Sequence, residues 1–226
     1  LLNNQSRQIH IFHPFSFHTD WNLLKKILYI GIPNGLENSM FQLGKILVLS
    51  LVTSFGTASI AANAVSNNIA MFAVLPGMSI GFAMLTVSAQ CVGAGDFEQV
   101  KYYTKKLMKL TYLCLILMNI LVVLLLPFII KVYGLSAEAS EYARRILIYH
   151  SCCVVTIWPL SFSLANTLRA AADVKYTMIL AIVSMWTFRI GFSYILGSYL
   201  KWGVFGIWVA MTIDWLFRSI CFTIRY

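Results

Sequence analysis

Long apolar stretches, separated by short polar or charged connections, set the pattern of this 226-residue chain. Each of six stretches reaches or exceeds the roughly 20 residues that a helix needs to cross a hydrocarbon core about 30 Å thick. A helix satisfies its backbone hydrogen bonds within itself, as a lipid-facing segment must. The pattern therefore predicts an all-α membrane protein, a bundle of six transmembrane helices, with spans at about 27–55, 59–92, 110–130, 146–168, 178–200 and 203–224.

The same pattern divides the chain into two parts. Residues 1–24 mix polar, aromatic and histidine side chains, so we expect a cytoplasmic connecting segment there. Asp20 at its end is suited to cap a helix that starts near Trp21. Residues 25–226 then form the six-helix lobe. Because the chain begins with Leu1 and a polar stretch, we expect a part of a longer protein.

Composition agrees with a membrane protein, since 59% of the residues are hydrophobic and only 11% are charged, against about 25% in soluble domains. The net charge of +9 does not indicate a nucleic-acid partner, because the positive residues lie between apolar spans. Lysines such as Lys101, Lys105 and Lys109 cluster on the side of the N-terminus. The positive-inside rule therefore predicts an integral protein of the plasma membrane with both termini in the cytoplasm.

Two charged residues, Glu37 and Lys45, interrupt the first span. A charged side chain near the middle of a bilayer costs roughly 2.5–3.5 kcal/mol, so a chain that keeps two of them usually needs them. At 3.6 residues per turn, Asn34, Phe41 and Gly44 share the face of these charges. That face is partly polar and partly small, which suits a bundle interior or a water-filled cavity.

Two roles are open for Glu37. It either binds the coupling ion of a transport site, with Asn34 and Lys45 beside it, or forms a structural ion pair with Lys45. A rise of 1.5 Å per residue separates the two backbones by about 12 Å. At that distance the attraction is only about 1.4 kcal/mol for an effective dielectric constant of about 20. The sequence therefore favours the coupling role.

Polar and aromatic residues of other spans are further candidates for substrate contact. Asn63 and Asn67 lie four residues apart on one helix face, and either contact substrate or form the interhelical hydrogen bonds that are common in membrane bundles. Hydrogen bonding is the favoured interpretation for these amides. Trp158, beside Pro159, lies one turn before Phe162, and the two rings either line a cavity for a flat cation or pack against lipid. Both interpretations of the aromatic pair stay open.

Three more charges lie within the last two spans. Arg189 is in the middle of the fifth span, and Asp214 precedes Arg218 by four residues in the sixth. Opposite charges at similar depth on consecutive helices pair readily, and a spacing of four residues lets Arg218 reach Asp214 as well. We therefore expect a structural ion pair of Asp214 with Arg189 or Arg218, in preference to a proton relay.

Five motifs carry a family resemblance: GIPNGLEN at 31–38, FGTASIAANAV at 55–65, PGMSIGFAMLTVSAQCVGAGD at 76–96, NTLRAAADVKYT at 166–177 and GVFGIWVAMTIDW at 203–215. In this order and spacing they resemble the C-terminal lobe of a multidrug and toxic compound extrusion (MATE) transporter, over about residues 25–226. The resemblance implies a twelve-helix antiporter of two six-helix lobes, which exports organic cations against an inward flow of Na⁺ or H⁺. It also implies an N-terminal six-helix lobe as the partner of this one.

The chain departs from the family pattern at three places. Sodium-coupled members carry a carboxylate one turn after Glu37, where this chain has Phe41, and another acid on the tenth helix, where it has Trp158. At the NTLRAAAD corner, Ala172 stands where a glycine is common. Glu37 therefore matches the acid of the family by helix face but not by position.

We expect a secondary active transporter that exports cationic or amphipathic organic compounds, drugs among them, in exchange for H⁺ or Na⁺. The alternatives are a flippase of related fold for a lipid-linked substrate, for which a more basic cavity is expected, and a non-transporting membrane scaffold. A membrane enzyme would need a second catalytic group beside Glu37, and the sequence contains neither HExxH nor GxSxG. We therefore expect no catalytic residue, metal site or cofactor. The expected partners are a small-molecule cation and the lipid bilayer, and no nucleic acid.

Overall fold

Seven helices make up the regular structure of the part of the chain that the computed structural model describes, residues 20–226. Most of the expected connecting segment, residues 1–19, lies outside that part. Asp20 caps the first helix as predicted, since its Oδ1 accepts hydrogen bonds from the backbone N–H groups of Asn22 and Leu23. The helices are α1 (Trp21–Thr53), α2 (Thr57–Gly93), α3 (Phe97–Tyr133), α4 (Ala137–Thr156), α5 (Pro159–Ala170), α6 (Val174–Tyr199) and α7 (Gly203–Arg225).

Helices α2, α3, α6 and α7 are each long and apolar enough to cross a membrane, and α4 with α5 supplies a fifth span. Helix α1, with 33 residues, is long enough but carries more polar side chains, Glu37 and Lys45 among them. The order of these elements follows the six predicted stretches. An all-helical membrane lobe is therefore confirmed for residues 20–226.

The fourth predicted span, 146–168, is divided in the structure. Helices α4 and α5 meet at an angle of 56°, and the first turn of α5, Pro159–Ser163, is π-helical. Proline lacks a backbone N–H group and its ring clashes with the carbonyl of the preceding turn, so Pro159 accounts for the break. The bend places Trp158, Ser161 and Ser163 at the wall of a cavity.

Helix α6 changes geometry along its length. It is α-helical over Val174–Ser184 and π-helical over Met185–Gly191 and Ser193–Tyr199. Such π-turns are rare and frequently mark functional sites. Arg189 lies within the first π-helical stretch, so its direction does not follow from a period of 3.6 residues.

The core lies where α2, α4 and α7 pack together around the bend. It requires a close approach of α6 and α7 at Gly206, where an added Cβ would lie 2.8 Å from the backbone carbon of Leu196 and 2.9 Å from the backbone nitrogen of Gly197. Only glycine fits there without moving a backbone. The buried core residues include Leu51, Val52, Leu115, Ile146, Val154, Trp158, Ile207, Trp208, Met211 and Trp215.

Candidate substrate cavity

A cavity of about 330 Å³ opens between α1, α2, α5 and α7, and we call it the Glu37 cavity. Its α1 wall carries four polar side chains of the first span, those of Glu37, Asn38, Gln42 and Lys45, and two glycines of α2, Gly77 and Gly81, form the opposite wall. The residues that line it are Glu37, Asn38, Phe41, Gln42, Lys45, Gly77, Met78, Gly81, Phe82, Trp158, Ser161, Phe162, Ser163, Ala165, Asn166, Arg169, Arg218 and Phe222.

A chain of hydrogen bonds crosses this cavity wall. The Arg169 guanidinium donates to Glu37 Oε1 at 2.6 Å and to Asn166 Oδ1 at 3.1 Å. The Asn166 amide donates to the backbone oxygen of Gly81 at 3.0 Å. A Cβ at Gly81 would lie 2.9 Å from the Asn166 amide nitrogen, so a larger residue there would displace the Asn166 side chain from this hydrogen bond. The network therefore joins α1, α5 and α2 at the candidate coupling carboxylate.

Glu37 faces the interior of the bundle, as its helix face predicts. Its side chain is 14% exposed and that of Arg169 is 21% exposed. The second oxygen, Oε2, is buried and has no hydrogen-bond partner within the described residues. One oxygen of the carboxylate is thus held by a cation, while the other has no hydrogen-bond partner in the described part of the chain.

The partner of Glu37 is Arg169 and not Lys45, which corrects the structural alternative considered from the sequence. Lys45 lies two turns along the same helix, too far for its side chain to compete with a guanidinium from α5. Its Nζ lies 5.3 Å from the centre of the Phe41 ring instead. Among residues 20–226, Lys45 forms no ion pair within 4 Å.

The predicted contact between Asp214 and Arg218 is present. Arg218 donates to Asp214 Oδ2 at 2.6 Å, and the two side chains are 4% and 0% exposed, respectively. The hydroxyl of Ser184 donates to the other carboxylate oxygen. Arg189, the alternative partner, forms no ion pair within 4 Å in the described part of the chain. Its guanidinium lies 5.2 Å from the centre of the Phe41 ring.

The aromatic rings of the Glu37 cavity contact cations of the chain itself. Trp158 and Phe162 are stacked with their centres 5.1 Å apart, and the Arg218 guanidinium lies 4.8 Å from the centre of Phe162. Trp158 is 5% exposed and packs against Gly77, where a Cβ would come within 2.6 Å of its ring. Both rings line the cavity, but neither has an open face of the kind that the sequence interpretation needs for a flat cation.

A second cavity of about 300 Å³, which we call the Arg189 cavity, lies between α1, α2, α6 and α7. Lys45 lines both cavities and therefore connects them. Asn63 accepts a hydrogen bond from Trp208 Nε1 at 3.1 Å, the interhelical bond expected for this amide. The residues that line this cavity are Lys45, Val48, Leu49, Asn63, Asn67, Arg189, Ile207, Trp208 and Met211.

Most predicted site residues therefore lie at one of the two cavities. Asn34 lines neither and accepts a hydrogen bond from the Asn38 side chain through its backbone oxygen. Sequence reasoning missed Arg169 and Asn166, which it used only as part of the motif at 166–177. Their spacing of three residues, which places both on one helix face, is the signal that could have indicated a shared site.

Among residues 20–226, no group of three or more histidine, cysteine, aspartate or glutamate side chains is placed to hold a metal ion. The two cavities contain one acid, Glu37, together with arginines, a lysine and amides, groups that can bind a charged small molecule.

Comparison with known proteins places this lobe in a family. The MatE family model matches residues 33–195. The chain is 28% identical over 195 residues to a probable multidrug resistance protein, YoeA, of Bacillus subtilis, which covers 84% of this chain and 41% of that protein. It is 22% identical to a probable multidrug resistance protein NorM of Thermotoga maritima, with 88% of this chain and 43% of that protein covered.

Solved structures of MATE transporters have a similar fold. A multidrug resistance MATE family transporter in its outward-facing conformation superposes with a TM-score of 0.86 at 18% identity, over 97% of this chain and 49% of that one. The chain spans less than half the length of the curated relatives described above. Because the family model matches well over half of its residues, the chain belongs to the MatE family of multidrug and toxic compound extrusion transporters, a family of membrane transporters and not of enzymes.

Proposed function

We propose that this chain is the C-terminal lobe of a secondary active transporter that exports amphipathic organic molecules in exchange for H⁺ or Na⁺. In this proposal an N-terminal six-helix lobe completes the substrate path, and the whole protein lies in the plasma membrane with both termini in the cytoplasm. The relatives named as multidrug resistance proteins support export of organic compounds. These relatives do not favour the two alternatives, a flippase for a lipid-linked substrate and a non-transporting membrane scaffold.

The observation that carries the proposal is the carboxylate of Glu37 at the cavity wall. Arg169 holds Oε1 at 2.6 Å, and Oε2 is buried without a partner in the described part of the chain. An ion that binds at Oε2 neutralises the carboxylate and weakens its attraction for Arg169. Since the two residues belong to α1 and α5, ion binding loosens a contact between helices.

This arrangement supplies a physical link between ion binding and conformational change. A ligand shifts a conformational equilibrium only if it binds two states with different affinity. A state with the Glu37–Arg169 pair closed disfavours a coupling ion, because the guanidinium already neutralises the carboxylate. A state with the pair open leaves the carboxylate exposed to the ion, so H⁺ or Na⁺ selects the open state.

The test is gradient-driven transport by the full-length protein that contains this chain, reconstituted into liposomes. We expect transport of a fluorescent amphipathic dye that depends on an imposed pH or Na⁺ gradient. Glu37→Gln should fold and insert but lose the gradient-driven component, since it mimics the neutral carboxyl. Glu98→Gln, which makes the same change at an exposed residue paired with Lys101, should leave it intact. Equal gradient-driven rates in Glu37→Gln and wild type would remove the coupling role.

A further inference from the structure

We propose that the Arg189 cavity binds an acidic group of the transported molecule, a carboxylate or a sulfonate, between Lys45 and Arg189. This inference rests on the proposed function and deepens it, because it assigns a substrate class to the same lobe. It replaces the cation expected from the sequence by an amphipathic organic anion.

The first observation is that the carboxylates near the two cavities already have partners. Arg169 holds Glu37 at 2.6 Å. Asp214 is held through one oxygen by Arg218 at 2.6 Å and through the other by the hydroxyl of Ser184. Neither acid is therefore free to receive a cationic substrate unless it first gives up an arginine.

Four cations line the two cavities, and two of them, Lys45 and Arg189, are not used in these pairs. In the described part of the chain neither has an ion pair within 4 Å or a side-chain hydrogen bond. Both lie against one ring, with Lys45 Nζ 5.3 Å and Arg189 Cζ 5.2 Å from the centre of Phe41. Two neighbouring cations on a membrane helix bundle raise each other's energy, and an anion between them removes that repulsion.

The aromatic rings of the two cavities also favour a negatively charged substrate. A cationic substrate in these cavities would use a ring face, the usual way in which proteins receive organic cations. Phe41 is approached by Lys45, Arg189 and Arg218, the last at 5.7 Å, and Arg218 also covers Phe162 at 4.8 Å. Cations of the chain itself therefore occupy faces of Phe41 and Phe162, two of the rings that a cationic substrate could use.

The Arg189 cavity offers hydrogen-bond donors without partners, beside the side-chain oxygen of Asn67, whose amide nitrogen donates to the backbone oxygen of Asn63. Arg189 Nε is buried without a partner, and a guanidinium is well suited to bind a carboxylate with two parallel hydrogen bonds. Asn63 accepts from Trp208 through its oxygen, which leaves its amide nitrogen as a donor without a hydrogen bond inside residues 20–226. Unpaired donors beside two cations that form no ion pair within 4 Å, in the described part of the chain, are features of an anion site.

The position of Lys45 also indicates where the rest of the transported molecule lies. Because Lys45 lines both cavities, an acid held beside it allows the apolar body of the same molecule to lie in the Glu37 cavity. There Met78, Phe82 and Phe222 offer apolar contacts. The coupling carboxylate and the substrate anion then occupy separate places.

Direct binding tests the inference without relying on transport. The full-length protein, purified in a neutral detergent, is titrated into fluorescein and into a cationic rhodamine ester, two xanthene dyes of similar shape and opposite charge, and fluorescence anisotropy is recorded. We expect tighter binding of fluorescein. Lys45→Gln and Arg189→Gln should each weaken fluorescein binding by at least about tenfold, while Lys131→Gln, at an exposed position on α3 outside both cavities, should not.

Lys45→Arg and Arg189→Lys keep the charge and guard against loss through misfolding, and we expect each to retain fluorescein binding better than the matching glutamine variant. Preferred binding of the rhodamine ester, or unchanged fluorescein binding in both glutamine variants, would overturn the inference. The second result would mean that acids of the other lobe already neutralise these cations. If the protein binds fluorescein but does not transport it in liposomes of zwitterionic lipid, the proposed function is wrong. The anion site is still supported by that result.

Discussion

The carboxylate of Glu37 in α1 accepts a 2.6 Å hydrogen bond from the guanidinium of Arg169 in α5, 132 residues later in the chain. Asn166 extends the contact to the backbone of α2 at Gly81. Three helices therefore meet at one carboxylate, and a change in its charge alters contacts that hold them together.

The strength of this contact can be measured by a double-mutant cycle. Glu37→Gln, Arg169→Gln and the double variant should give a coupling free energy of about 1–3 kcal/mol, because removal of one partner leaves a largely buried charge alone. Thermal or denaturant unfolding of the purified protein in detergent provides the values. The same cycle on Glu98 and Lys101, an exposed pair, should give no measurable coupling. Similar results for the two pairs would show that the Glu37–Arg169 contact contributes nothing to stability.

The buried pair of Asp214 and Arg218 should be essential for the fold. Asp214→Asn leaves the Arg218 guanidinium buried without a counter-charge, and we expect a loss of about 3 kcal/mol in the free energy of unfolding. Asp173→Asn is the matched control, since its pair with Arg225 lies at the surface and should not affect stability measurably. Unfolding midpoints in detergent compare the two variants. Equal stability of Asp214→Asn and Asp173→Asn would contradict a structural role for the buried pair.

Ala172 offers a stabilising substitution. Its φ of 64° lies in the left-handed region, where a residue with a Cβ is strained by about 1–2 kcal/mol. We therefore expect Ala172→Gly to raise stability by about 0.5–1 kcal/mol, after allowance for the greater freedom of glycine in the unfolded chain. Ala171→Gly, at a φ of −80°, should lower stability instead. Melting temperatures measured side by side check the opposite signs, and a loss in both variants would argue against strain at Ala172.

The contact between α6 and α7 predicts intolerance of a methyl group at Gly206. A Cβ there would lie under 3 Å from backbone atoms of Leu196 and Gly197, which cannot rotate away as a side chain can. Gly206→Ala should therefore destabilise the protein by about 1–3 kcal/mol. Gly31→Ala, with no atom within 4 Å of the added carbon, is the control and should not destabilise the protein, since alanine in a helix interior is more stable than glycine by about 0.5–1 kcal/mol. Unfolding curves of both variants give the change in the free energy of unfolding. No change in Gly206→Ala would mean that α6 and α7 separate easily.

The fold could be predicted well from the sequence, because the thickness of a bilayer fixes the length of each apolar stretch. Helix bounds followed the polar connections, and the cap at Asp20 followed from local chemistry alone. Pro159 lies at the bend between α4 and α5, but one undivided span was predicted there, at 146–168, since the angle of 56° depends on packing. The contact of Asp214 with Arg218 was also accessible, since four residues on one helix bring two side chains together.

The site was less accessible, because its contacts join helices that are distant in sequence. The Arg169 partner of Glu37 lies at the end of α5, where positive charge is equally well explained by membrane topology. Arg189 was one of two predicted partners of Asp214, chosen from its depth alone, and it lies in a π-helical stretch of α6 where a period of 3.6 residues does not give its direction. Such rotations of a helix about its axis depend on tertiary packing and leave no periodic signal.

The most direct test of the account is ion movement caused by substrate. Liposomes that contain the full-length protein and a trapped pH-sensitive or Na⁺-sensitive dye receive a substrate gradient in the absence of any ion gradient. The account predicts that wild-type protein and Glu98→Gln move H⁺ or Na⁺ in the direction opposite to the substrate, and that Glu37→Gln moves none. Ion movement in Glu37→Gln at the wild-type rate would contradict the claim that Glu37 couples the two flows.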